Sequence, residues 1–178
     1  MEWVDRTWIG ACLLRTLPVL ASLGLIVLER LPIPLPGLAA VSPNLALISL
    51  YYWAVYRSDL QPAPVVFLLG LAHDLLSGGP LGVGSFVFLS CCGGVLWRDT
   101  LFQGRSFSTL WAGFVVIVAA TTALQWGLTG LILQSFPAPA TALFSWLLSI
   151  AFFPLVALPL LALHRTLPGG VSRPRRSR

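Results

Sequence analysis

The sequence predicts an all-α polytopic membrane protein, with six transmembrane helices packed as one bundle. Three observations point to it. Of 178 residues, 57% are hydrophobic and only 10% charged, whereas a soluble domain carries about 25% charged residues. The mean hydropathy is +0.87, so the chain has too little polar surface to cover itself in water and its solvent is lipid. Apolar runs recur along the chain, parted by short stretches rich in Pro, Gly or Arg, and the eleven basic residues are all arginine and gather between particular runs. The length suits one domain.

A bilayer core about 30 Å thick takes roughly 20 apolar residues as helix. The first run, residues 13–28, has Trp8 and Arg15 near its start and closes on Glu29-Arg30. It is too long for a signal-peptide core and no small-x-small cleavage site follows, so it reads as a retained span. PIPLPG, residues 32–37, cannot continue a helix. The second run, 43–56, ends in YYWAVY, an aromatic cluster of the kind that marks a membrane–water interface. Arg57-Ser58-Asp59 then leads to the third, 62–76, and the fourth, 81–97, stops at Trp97-Arg98-Asp99. The fifth, 107–133, is the longest, and Pro154 and Pro159 should bend the sixth, 141–163. Runs two to four are short, which calls for a thinned bilayer, extension into the loops or a compact hairpin group. Residues 1–164 thus form a six-helix transmembrane domain, and 165–178 a basic, disordered cytoplasmic tail.

Arginine sets the orientation. With six spans, both termini share a side with the loops near Arg57 and near Arg98 to Arg105. That side also holds Arg6, Arg165 and the four tail arginines, while Arg30 alone lies on the other. Positive-inside bias puts both termini in the cytoplasm, where the tail meets anionic lipid rather than nucleic acid. Arg15 lies inside the first span's cytoplasmic end, where its stem can snorkel to the headgroups.

Few residues could carry chemistry. FLLGLAHDLLSGGPLG, residues 67–82, places His73 and Asp74 in an oily run just before Gly78-Gly79-Pro80. An acid within a span is a functional hypothesis by default, but this topology puts Asp74 within about a turn of the outer face. Three uses are open: a polar contact organising the 77–82 turn or a neighbouring helix, docking of a partner, or proton coupling. Neighbours in sequence point about 100° apart on a helix, so His73 and Asp74 make a poor dyad, and His73 is expected to bond a carbonyl or water. SGGPLGVG lacks the Gly-Lys-Ser/Thr ending of a phosphate loop and reads as a tight interhelical turn, with Pro80 opening the fourth helix. Gln125 suits an interhelical hydrogen bond. Gly93-Gly94 and the small residues 119–123 suit close helix approach, either within the chain or by a partner's helix.

Cys12, Cys91 and Cys92 read as small buried hydrophobes, and with His73 and His164 in different segments no metal or cofactor is expected. Glu29, Asp59 and Asp99 sit beside or near arginine at span edges and read as interface salt pairs. No nucleophile elbow or carboxylate pair accompanies them, so an enzyme is disfavoured.

The stretch PNLALISLYYWAVYRSDLQPAPVVFLLGLAHDLLSGGPLG, residues 43–82, resembles the bacterial rod shape-determining MreD family. The matching positions are Pro43, Tyr52-Trp53, Gly70-Leu71, Asp74 and Gly79-Pro80-Leu81-Gly82. The family often has Arg-Pro-Asp at the second span's start, and here Ser42-Pro43-Asn44 stands in its place. The resemblance implies a non-enzymatic component of the elongation machinery in the bacterial inner membrane. Such a component binds MreC and associates with MreB, RodA and a class B penicillin-binding transpeptidase during side-wall peptidoglycan synthesis. It also implies a helix arrangement similar to the substrate-binding components of energy-coupling-factor transporters. The alternative role that follows is binding of a small, vitamin-type solute, for which Asn44, Asp74, Gln125 and Tyr51 or Tyr52 are the polar groups on offer.

Overall fold

A computed structural model describes residues 2–30, 42–97 and 107–166; the side chains of 2–15, 107, 165 and 166 fall outside the description. The described residues form helices only: α1 (Glu2–Glu29), α2 (Leu45–Tyr56), α3 (Ala63–Ser77), α4 (Val83–Trp97), α5 (Phe107–Leu133) and α6 (Pro139–Thr166). PIPLPG, the loop bearing Arg98 and Arg105, the 167–178 part of the tail, and the side chains of Cys12 and Arg15 lie outside the described residues. Two stretches, Ser108–Leu133 and Pro139–His164, are long and apolar enough to cross a membrane.

The centre is α2. Its twelve residues are apolar on every side, as expected of a buried helix, and Leu45 to Ala54 are all buried. Helices α1, α4, α5 and α6 surround it, while α3 packs on α4 and α1. At about 1.5 Å per residue α2 is only some 18 Å long, and protein rather than lipid covers it.

This corrects the expectation for the aromatic cluster. Tyr51, Tyr52 and Trp53 lie in the core rather than at a lipid-facing interface; only Tyr56 reaches the surface. The Tyr51 hydroxyl donates to the Leu110 carbonyl at 2.9 Å, tying α2 to α5. Its ring packs edge-on to Phe114 and Phe153, which stack on each other with centroids 4.4 Å apart. Trp53 stacks on His164 at 6.1 Å, and Tyr52 and Tyr56 meet the same ring edge-on. A buried Trp or Tyr usually finds a partner for its polar tip; Tyr51 does so at Leu110, whereas the Trp53 indole N–H has no hydrogen-bond partner among the described residues.

Polar side chains join the remaining elements. Ser22 on α1 and Ser49 on α2 share a 2.8 Å hydrogen bond, and the Gln61 amide donates to Ser22 at 2.8 Å. Arg57 and Asp59 form a two-pronged pair at 3.1 and 3.3 Å. Helix ends follow local chemistry. Asn44 caps α2 by accepting from the Leu47 amide at 2.9 Å, and α6 opens on Pro139, whose missing N–H would be unpaired there anyway. Helix α4 begins at Val83, so Pro80 sits in the preceding turn instead of opening the helix.

Candidate functional site

The hairpin of α3 and α4 is the tightest part of the bundle. A β-carbon on Gly70 would run into the backbone of Ser85, and one on Gly84 into the Asp74 carboxylate. Ser85 adds a 3.0 Å hydrogen bond to the Phe67 carbonyl. Two glycines make the reversal: Gly78 ends α3 at φ +66° and Gly82 precedes α4 at φ +96°, both conformations that favour glycine. Gly79 is not in that region, so its side-chain-free position is no conformational requirement.

Asp74 clamps this turn. One carboxylate oxygen accepts from the Gly82 amide at 2.8 Å, and both accept from the Gly84 amide, at 2.9 and 3.0 Å. These are amides at the start of α4, where unpaired N–H groups and the helix dipole favour a negative charge. The carboxylate is 4% exposed and engaged within the chain, so a docking partner would meet the turn it holds rather than the acid itself.

His73 points elsewhere, as the 100° offset requires. Its Nε2 lies 2.9 Å from an Arg30 terminal nitrogen and 3.6 Å from a Glu29 oxygen. A guanidinium can only donate, so in this contact Nε2 is the acceptor and Nδ1 is left as the ring's donor. That nitrogen stands 3.7 Å from Asp74, beyond hydrogen-bond reach, and is buried without a partner. The bond to Arg30 replaces the carbonyl or water expected for His73. Glu29 in turn lies 3.6 Å from Arg30 and accepts a long 3.5 Å bond from the Ala46 amide. The expected Glu29–Arg30 edge pair is therefore part of a three-residue cluster that runs into α3.

A cavity of about 270 Å³ opens beside this cluster. Glu29, Arg30, Asn44, His73, Gln125 and Thr129 contribute to its wall, as do hydroxyls of α6. Gln125 faces this space and makes no hydrogen bond to another helix among the described residues, against the expectation of an interhelical bond. Of the groups expected to serve a solute, Asn44 and Gln125 line the cavity, whereas Asp74, Tyr51 and Tyr52 do not. Glu29, Arg30 and His73 were missed as a group. The signal was present, since alternating spans bring the end of the first and the end of the third to the same face.

The matching positions of the family pattern separate in space. Gly70, Asp74, Gly79, Pro80 and Gly82 belong to one hairpin. Pro43 is buried just before α2, and Tyr52 and Trp53 lie about two and a half turns further along that helix, in the aromatic core. Gly93 and Gly94, expected at a close helix approach, meet nothing within 4 Å of a would-be β-carbon. Close approach falls on Gly70 and Gly84 instead. Cys91 is buried, Cys92 half-buried, and both are free thiols.

The described residues are all helical, and two of the helices are long and apolar enough to cross a membrane, which defines the class of the chain as a helical protein of membrane type. More particularly, it belongs to the rod shape-determining protein MreD family, whose match spans residues 12–162. No individual characterised protein and no solved structure matches the chain. Membership assigns a role in rod shape determination within the rod-shape complex, and the family is a structural one rather than a family of enzymes.

Proposed function

We propose that this chain is a non-enzymatic membrane scaffold of the cell-elongation complex, and that it captures MreC through the turn between α3 and α4. In this reading the six helices cross the bacterial inner membrane with both termini in the cytoplasm. MreB, RodA and a class B penicillin-binding transpeptidase join the same complex, and the scaffold helps organise side-wall peptidoglycan synthesis.

One observation carries the reading: the turn is exposed yet held rigid. Leu75 is 65% and Leu81 63% exposed on either side of it, while Asp74 fixes its backbone from beneath. An apolar surface on a preorganised turn loses little entropy when a partner docks. In this reading, which the arginine distribution supports, the turn faces outward, where the extracytoplasmic part of a single-span partner would reach it.

Gly79→Leu tests the site without disturbing the fold. Its φ is ordinary, and an added β-carbon meets only the Ser77 hydroxyl, at 3.6 Å. The variant, and Asp74→Ala, should retain less MreC in co-purification from membranes and should round the cells. Full capture and normal rods in both would remove the turn as the docking site.

A further inference from the structure

We infer that the cavity beside Arg30 binds a small solute carrying a carboxylate or phosphate next to an N–H or O–H donor. The cavity is no docking groove for a helix. At about 270 Å³ it sits just below the range of small-molecule sites, about 300–1,000 Å³. Helices α1, α3, α5 and α6 and the cap of α2 all contribute to its wall, and the contributions are mostly polar: Ser, Thr, Asn, Gln, His, Glu and Arg. In a chain that is 57% hydrophobic, such convergence is costly. A buried ionic cluster is often replaceable by apolar residues with no loss of stability, so folding alone does not account for it.

The chemistry of the ligand follows from unmatched groups. Arg30 has five N–H donors. Among the described residues one hydrogen bond uses them, to His73; Glu29 stands 3.6 Å from the same terminal nitrogen, and the buried Nε has no hydrogen-bond partner. A planar guanidinium in that condition suits a carboxylate or phosphate, which it can grip with two parallel bonds. Glu29 is 6% exposed at its side chain, and its nearest donor, the Ala46 amide, is a long 3.5 Å away. It therefore accepts from a donor on the same solute and weakens any anion lacking one. The Asn44 amide hydrogens and the Gln125 side chain supply orientation, and Trp126 adds apolar surface to the same lining. The inference does not rest on the docking reading: Gly79 and Leu81 take no part in the cavity, and Ser77, where the turn begins, is the one residue the two share.

The test is site-resolved arginine modification of the full chain in maltoside micelles, which contain no anionic group. Phenylglyoxal reacts with Arg30 and Arg57, and peptide mass spectrometry separates the two rates. Inorganic phosphate or L-serine should slow modification of Arg30 severalfold and leave Arg57, tied to Asp59, unchanged. Protection by phosphate alone assigns a phosphate ligand, and protection by serine alone a carboxylate one. Gln125→Leu and Thr129→Val lie outside the ionic cluster and should each raise the half-protecting concentration by up to about tenfold, the worth of one hydrogen bond to the ligand. Equal rates with and without both solutes would overturn the inference. So would protection by added phosphatidylglycerol only, which would make this a lipid contact.

Discussion

Asp74 shows how one side chain organises a membrane-type hairpin. Its three accepted bonds come from backbone amides that would otherwise lie unpaired at the start of α4. A hydrogen bond to a charged group is worth about 1.5–3 kcal/mol, and burying a donor without its partner adds a penalty of similar size. Asp74→Ala should therefore destabilise the protein by roughly 2–4 kcal/mol, read as an earlier thermal unfolding midpoint in detergent. Asp74→Asn keeps one acceptor oxygen and should fall between. Equal midpoints for all three would show that the clamp contributes nothing to folding. That stability measurement, set beside MreC capture for Gly79→Leu, separates loss of the turn's shape from loss of its surface.

At the scale of elements, the contact between α3 and α4 depends on the absence of side chains. Because a β-carbon on Gly70 would overlap backbone rather than a movable side-chain end, the helices must part to admit it. Overpacking of this kind costs about 1–3 kcal/mol, so Gly70→Ala should lower the unfolding midpoint. Gly94→Ala provides the contrast. It faces open space, and alanine favours helix over glycine by about 1 kcal/mol, so the midpoint should hold or rise. If Gly94→Ala proves as damaging as Gly70→Ala, a surface absent from the single chain is packed there. The same scale explains why helix positions were largely legible and packing was not. Apolar runs bounded by Pro, Gly and Arg locate five of the helices to within a few residues, whereas α1 starts at Glu2, well before the run expected from residue 13. Two adjacent glycines, however, do not announce whether a neighbour lies on their face.

For the whole molecule, the polar cluster and the turn lie at one end of the bundle and the pair of Arg57 and Asp59 at the other. The orientation argued from arginine then makes a direct prediction. Ser77→Cys should react with an impermeant maleimide added to intact cells, after removal of the outer barrier. Asp59→Cys should react only once the membrane is opened. The reverse pattern would invert the bundle and take the outer docking site with it. Both positions are exposed, so poor access does not confuse the result.

By itself the sequence determined the solvent, the helical class and the helix-rich order, because those follow from composition and from where apolar runs stop. It also singled out Asp74, since one acid in an oily run is conspicuous without any structure. Only the tertiary structure decided what that acid bonds, that YYWAVY is core rather than rim, and that Glu29, Arg30 and His73 meet beside a cavity. Those facts depend on which faces of distant helices touch. Hydrophobicity in lipid-type helices is nearly uniform around the axis, so it carries little record of which face turns inward.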